Sequence, residues 1–213
     1  MIMRRLLCGC VAAGLLLPGC LTPKTVEPTR FYTVSPERLD AGEAVHPGAL
    51  GIRPLLAARP YKLEVAYRAE TNRLAYFPKS EWAELPGTLV SRALADGMAR
   101  NQLFEDTGDA STMSRPDYLF TGELRRFEAD YAGDAPAFVV EASLNIRAAV
   151  TGEGLWRDVV EVRVPIGPRS PLGATNETLT EIAQAASDAI TELTVDAIAS
   201  IRTRLKNMPD APE

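Results

Sequence analysis

The residues with the clearest chemistry are Leu17, Pro18, Gly19 and Cys20. They end a short apolar run that follows Arg4 and Arg5, and this layout of a basic start, a brief hydrophobic stretch and a small residue predicts a secretory signal peptide. A cysteine directly after the cleavage position is the mark of a lipoprotein signal. We therefore expect cleavage between Gly19 and Cys20 and attachment of lipid to the Cys20 thiol.

Two other interpretations of this segment fit less well. The apolar run ends at Leu17 and is too short for a membrane-spanning helix, which needs roughly 20 apolar residues. Cys10 also follows a glycine, but cleavage there would leave almost no apolar region. Leu21 stands where many inner-membrane lipoproteins carry Asp, which favours anchoring in the outer membrane.

Cys20, which we expect to be acylated, is the one cysteine after the cleavage position, because Cys8 and Cys10 leave with the signal peptide. Residues 1–19 are thus predicted to be the signal peptide, and 20–29 the acylated cysteine with a polar spacer that contains two prolines. The remaining length is enough for one hydrophobic core and one domain. Its stability must come from that core, with no disulfide.

Few residues of the sequence are of the types that catalyse reactions or bind metals. His46 is the sole histidine and lies in a Pro/Gly-rich segment, where we expect a solvated loop residue. Without cysteines, one histidine makes a poor zinc site, and the glycine-rich phosphate and dinucleotide motifs are absent. We therefore expect that the protein binds no metal or cofactor and is not an enzyme. A glycosidase-like carboxylate pair stays open, since such pairs are distant in sequence. The candidates are Glu123, Glu128, Glu141 and Glu161.

These glutamates lie in or beside the segments 118–125, 138–150 and 156–164, where alternating apolar and polar residues predict β-strands. The glutamates occupy the polar positions, opposite the apolar ones. We therefore expect them on a solvated sheet face, paired across strands with Arg125, Arg147 and Arg163.

The second unusual segment surrounds Trp82, which is flanked by Glu81 and Glu84 and bracketed by two prolines. One hypothesis is that Trp82 covers the core where a sheet leads into a helix. The other is that Trp82, Glu81 and Glu84 contact a protein partner. The first is favoured because large aromatic side chains are more often buried than exposed.

The charge balance excludes some partners. The net charge is −5, and it becomes about −7 once Arg4 and Arg5 are removed. Nucleic-acid binding depends on basic patches that neutralise phosphates, so we expect none here.

Hydrophobic periodicity outlines the elements of the domain. Alternation predicts short strands at 30–34, 50–53, 62–67, 73–77 and 103–105, and three longer strands at 118–125, 138–150 and 156–164 that form an antiparallel meander. Helical spacing predicts a helix over 89–98 with Thr88 as N-cap, and a long helix over 179–205 capped by Thr175, Asn176 or Thr178. The apolar stripe of the long helix suits packing on a sheet, with a partner-facing role as the alternative.

The order of several segments resembles one known family. Phe31-Tyr32-Thr33-Val34 follows the lipobox closely, Arg59-Pro60-Tyr61 leads into residues 63–68, and Trp82-Ala83-Glu84-Leu85-Pro86 enters a helix that ends in Gln102-Leu103-Phe104. This order is similar to the ABC-type transport auxiliary lipoprotein family, which includes the lipoprotein of the paraquat-inducible (Pqi) system.

The resemblance implies an α+β fold over residues 30–206, with a mixed, largely antiparallel sheet, helices packed on one face, and a tail at 207–213. It also implies a non-catalytic docking component of a lipid transport system. The expected partners are an MCE-type periplasmic protein and its ABC transporter, with self-association of the chain as a further expectation. The rival functions are a carrier that holds lipid in a pocket lined by the long helix, and a periplasmic enzyme.

Overall fold

The computed structural model describes residues 27–43, 46–168 and 170–207. Nine strands and two helices lie within these ranges. In chain order they are β1 (Arg30–Tyr32), β2 (His46–Ile52), β3 (Leu56–Ala57), β4 (Glu64–Glu70), β5 (Arg73–Trp82), α1 (Pro86–Arg100), β6 (Phe104–Asp109), β7 (Tyr118–Asp130), β8 (Ala137–Ala148), β9 (Gly154–Pro165) and α2 (Asn176–Lys206).

Strand β7 organises a single sheet that contains all nine of the described strands. Along one edge it pairs antiparallel with β8 over its whole length, and β8 pairs antiparallel with β9. Along the other edge it meets three short strands in parallel, which are β2 near its start, β3 in its middle and β4 at its end. The remaining strands, β5, β1 and β6, extend this side of the sheet. The predicted α+β fold with a mixed sheet is confirmed.

The meander of the three long strands is confirmed as well. Phe120, Ile146 and Trp156 are register partners across β7, β8 and β9, so they project to the same side of the sheet. All three are buried, and this side carries the hydrophobic core. The opposite side of the same strands carries the polar residues of the alternation.

Both helices pack against the sheet and against each other, as predicted for helices on one face. Helix α2 lies on β8 and β9, and its apolar stripe is buried there, which confirms core packing. Thr175, one of the three predicted caps, is the N-cap, and its hydroxyl accepts a hydrogen bond from the backbone N–H of Thr178 at 3.4 Å.

Thr88, the predicted N-cap of α1, is not the cap. The helix begins at Pro86, after Leu85, and no side chain caps it. Proline has a helical φ and lacks an N–H, so at the first helical position it sets the start without needing a cap. Thr88 therefore lies inside the first turn.

The prediction for His46 is also wrong. His46 opens β2, and its ring packs against the rings of Phe104 and Tyr118, with centroids 5.3 and 5.2 Å away. Strand β2 includes Pro47 and Gly48, although their composition indicates a loop. Neither described helix is long and apolar enough to cross a bilayer.

Candidate docking surface

Trp82 lies at the end of β5 and is only 1% exposed. Its ring packs edge-on against Phe127 and Phe138, with centroids 5.2 and 6.1 Å away. The indole Nε1 has no hydrogen-bond partner among the described residues, so packing alone holds the ring. This burial supports the core hypothesis and removes Trp82 from any exposed surface.

The two glutamates beside Trp82 go to different places. Glu81 is half-buried on β5, where its register neighbours are Phe31 on β1 and Glu64 on β4. Glu84 lies just before α1 and forms an ion pair with Arg92 of that helix. Only Glu84 therefore belongs to the surface around α1.

A segment that we call the strap, residues 33–43, crosses both helices after β1. The backbone N–H groups of Ser35 and Glu37 donate to hydroxyls of α2, those of Ser187 and Thr191, at 3.0 and 2.8 Å. Farther along, the N–H of Gly42 donates to the carbonyl of Arg100 at the end of α1, at 3.2 Å. The strap thus connects β1, near the N-terminal end of the described residues, to the helix pair.

A cleft of about 190 Å³ lies between the strap, α1 and α2. Gly97 of α1 and Thr194 of α2 both line it, and a Cβ on Gly97 would come within 2.6 Å of the Thr194 Cγ2 atom. Glycine, unfavourable inside a helix by about 1 kcal/mol, is used here because it lets the two helices approach closely.

A second hollow of about 460 Å³ lies on the other side of α1, between that helix and the ends of β2 and β6. Arg92 and Asp96 line both hollows. We call the exposed strip of α1 between them the α1 ridge; it carries Thr88, Arg92, Ala95, Asp96 and Ala99. The ridge is a projecting, mainly small and polar surface with a depression on each side.

A buried carboxylate lies on the polar face of the long strands. Glu128 of β7 is 0% exposed, which contradicts its predicted place on a solvated face. Its Oε1 accepts from the Arg68 Nε at 2.7 Å and the Arg126 Nη2 at 2.8 Å, and its Oε2 accepts from the Tyr61 hydroxyl at 2.8 Å. Tyr61 precedes β4 and covers this part of the polar face, which explains the burial.

We call this group, with Asp130 and Arg163, the Glu128 network. Asp130 accepts hydrogen bonds from Arg126 at 2.8 Å and from Arg163 at 3.3 Å. Burial raises the pKa of Glu128, but the hydrogen bonds from Arg68, Arg126 and Tyr61 outweigh it and bring the pKa below its ordinary value. The pKa of Asp130 is lowered for the same kind of reason, chiefly by Arg126. Both carboxylates are therefore ionised at neutral pH.

This arrangement is unsuited to acid–base chemistry. Every oxygen of Glu128 is occupied by donors of the protein, so neither can take a proton from a substrate. The other predicted carboxylates are on the polar face as expected: Arg125 lies 3.7 Å from Glu123 and 3.6 Å from Glu141, and Arg163 lies 3.5 Å from Glu161. Arg147, predicted as a third partner, forms no ion pair with any described residue. In the described ranges no three or more His, Cys, Asp or Glu side chains are grouped to hold a metal ion.

The predicted lipidation residue Cys20 and the cleavage residue Gly19 lie outside the described residues, as do the signal peptide and most of the spacer.

Comparisons with known proteins give a family and a fold. A family model described as "ABC-type transport auxiliary lipoprotein component" matches residues 49–199. The crystal structure of a Xanthomonas campestris protein superposes with a TM-score of 0.67 at 17% identity, covering 82% of this chain and 96% of that one. An uncharacterised protein of known crystal structure gives a TM-score of 0.62 at 9% identity, covering 82% of this chain and 99% of the other. No curated protein matches the sequence.

Proposed function

The chain belongs to the family of ABC-type transport auxiliary lipoprotein components, and we propose that it is the non-catalytic docking component of an MCE-type lipid transport system. In this proposal, lipid on Cys20 holds the domain at the periplasmic face of the outer membrane. The domain receives the MCE-type periplasmic protein that works with the ABC transporter of the system.

The α1 ridge is the observation that carries the docking role. It stands between two hollows, so a partner can insert side chains on both sides of one helix. Its side chains are small or polar, and the Glu84–Arg92 ion pair borders the cleft. The strap that borders the same cleft leads back toward the anchor, so docking at α1 would occur near the tethered end of the domain.

The paired carboxylates support a non-catalytic role. Glu128 is the most deeply buried ionised group of the described residues outside the core, and its oxygens already accept bonds from three side chains. The structure uses these charges to hold strands together, and the proposed function needs no reacting group.

The anchor sets the reach of the domain. The ten residues from Cys20 to Thr29 span at most about 36 Å when fully extended. We expect Cys20→Ser to leave an uncleaved precursor that carries no lipid, because the lipoprotein peptidase acts on the lipid-modified cysteine. Membrane fractionation with labelled palmitate tests this, and a labelled Ser variant in the outer membrane would contradict it.

The docking role is tested with the purified lipoprotein in detergent and the MCE-type protein encoded in the same genome. Ala99→Arg places a long charged side chain on the α1 ridge, and we expect the affinity to fall at least tenfold. Asp196→Arg, on an exposed position of α2, is the matched control and should leave the affinity unchanged. Equal binding by both variants, with normal circular dichroism spectra, would contradict docking at α1.

A further inference from the structure

A third hollow, of about 570 Å³, lies where β9 begins and α2 ends, and it shares no lining residue with the two hollows beside the α1 ridge. Three arginines line it: Arg147 at the end of β8, Arg157 on β9 and Arg204 in the last turn of α2. Thr121 and Asn145 form part of its polar wall. We call it the arginine hollow.

The three guanidinium groups have no acidic partner among the described residues. Arg147 and Arg157 form no ion pair there, and Arg204 donates only through its Nε, to the carbonyl oxygen of Leu155 at 3.0 Å. All three side chains are exposed, so their remaining N–H groups are free to bind a ligand.

The nearest acids in the sequence do not neutralise them. Asp158 forms no ion pair with a described residue; its carboxylate accepts from the Ser200 hydroxyl and from the backbone N–H of Val159, both at 2.9 Å. Glu153 lies in the exposed β8–β9 turn, forms no ion pair with a described residue and does not line the hollow.

We propose that the arginine hollow binds a phosphate group. Three arginines without acidic partners make one hollow locally basic on a chain that is acidic as a whole, with a net charge of −5, and a basic hollow attracts an anion. The planar guanidinium group matches phosphate oxygens with two parallel hydrogen bonds, and three of them suit a doubly charged phosphate better than a single carboxylate.

The wall of the hollow supplies further donors. The Thr121 hydroxyl donates to the Asn145 Oδ1 at 3.0 Å, which orients the amide and leaves its N–H groups for another acceptor. The rest of the lining is glycine or apolar, so these five polar side chains are the groups that would bind the phosphate of a headgroup or a free phosphate. This proposal goes beyond the docking function and uses none of its residues, so either can fail without the other.

Isothermal titration calorimetry on the purified lipoprotein in detergent, at fixed salt, tests the proposal. The probes are inorganic phosphate, glycerol 3-phosphate, dihexanoyl phosphatidic acid and a hexaglutamate peptide. We expect saturable binding of the three phosphate probes, weakened at least tenfold by Arg147→Ser and by Arg157→Ser. Arg125→Ser, which removes an arginine from the same sheet face, should leave phosphate binding unchanged.

The probes also separate the sources of phosphate. Binding of dihexanoyl phosphatidic acid at least tenfold tighter than that of inorganic phosphate would assign the site to a lipid headgroup, and equal affinities would assign it to free phosphate. The proposal is overturned if no phosphate probe binds saturably, if both arginine variants bind as the wild type does, or if hexaglutamate binds more tightly than every phosphate probe.

Discussion

The polar face of the long strands contains two groups of arginines that differ in their surroundings. Alternation along β8 places Val139, Asn145 and Arg147 on this one face. Their register partners include Glu128 and Arg163 beside Val139, and Thr121 and Arg157 beside Asn145. At the first position arginines are paired with buried carboxylates, whereas at the second they line an open hollow with no acid.

The difference shows that residue type alone does not reveal what an arginine does. In the Glu128 network the charges satisfy one another, and Tyr61 helps to cover them, so their role is to hold β4, β7 and β9 together. In the arginine hollow, Arg147 and Arg157 form no ion pair with a described residue, and Arg204 donates only to the carbonyl oxygen of Leu155. A charge whose partner is missing from the fold points to a ligand, while a fully paired charge points to structure.

The largest loss of stability is expected from a substitution in the apolar core, on the side of β7 opposite the two groups of arginines. Trp82→Ala should lower the free energy of unfolding by about 4 kcal/mol, because it removes a fully buried ring that packs on Phe127 and Phe138. Denaturant unfolding measures the change. Trp82→Phe is the control and should cost much less, since the indole N–H bonds to no described residue. An unchanged Trp82→Ala stability with loss of partner binding would contradict the core assignment.

The second largest loss of stability is expected from a substitution in the Glu128 network. Glu128→Ala leaves Arg68 and Arg126 without their shared partner, and we expect a loss of about 3 kcal/mol, the low end for a broken buried pair because both arginines reach solvent. Glu123→Ala, at an exposed position, should change stability by less than about 1 kcal/mol. Similar losses in the two variants would show that burial of the network contributes little.

The Glu128 network should stabilise the fold less at acidic pH. Since the folded-state pKa values of Glu128 and Asp130 lie below their ordinary values, the stabilisation is complete above the unfolded pKa of about 4 and is lost as pH falls through the folded values. We expect the difference in Tm between the wild type and Glu128→Gln to stay constant from pH 6 to about pH 5 and to narrow from there to pH 3. A constant difference over this range would mean that Glu128 does not stabilise the fold through its charge.

The smallest effect is expected at the unpaired end. Arg157→Ser should change the free energy of unfolding by less than about 0.5 kcal/mol in phosphate-free buffer, because the side chain is exposed and holds no described residue. Arg126→Ser, its counterpart in the Glu128 network, should cost about 2 kcal/mol through its lost charged hydrogen bonds. If Arg157→Ser costs as much as Arg126→Ser, the distinction between the two ends is wrong.

The sequence predicts the parts of this fold that depend on local periodicity. The β7–β8–β9 meander and the buried stripe of α2 follow from regular alternation and helical spacing. The extension of β5 to Trp82 is missed because Pro78 suggests an end at Phe77. The strand continues past Pro78 through an irregularity in its pairing with β4, where Lys79 has a φ of 55°.

Burial of a residue by a segment distant in the chain cannot be predicted from the local sequence pattern. Alternation correctly assigns Glu128 to the polar face, but its cover, Tyr61, comes from 67 positions earlier in the chain. The arginine hollow has the same origin, since Arg204 reaches it from the far end of α2 and no motif links that residue to Arg147. The parallel pairings of β2, β3 and β4 with β7 likewise leave no local signal.

Docking at α1 is the central claim, and crosslinking in cells tests it most directly. A photoreactive amino acid is placed at Ala99 on the α1 ridge and, as the control, at the exposed position of Val159 on β9. We expect light-dependent crosslinks to the MCE-type periplasmic protein from position 99 and none from position 159. Crosslinks from 159 alone, or none from either position in cells that express both proteins, would contradict the proposed function.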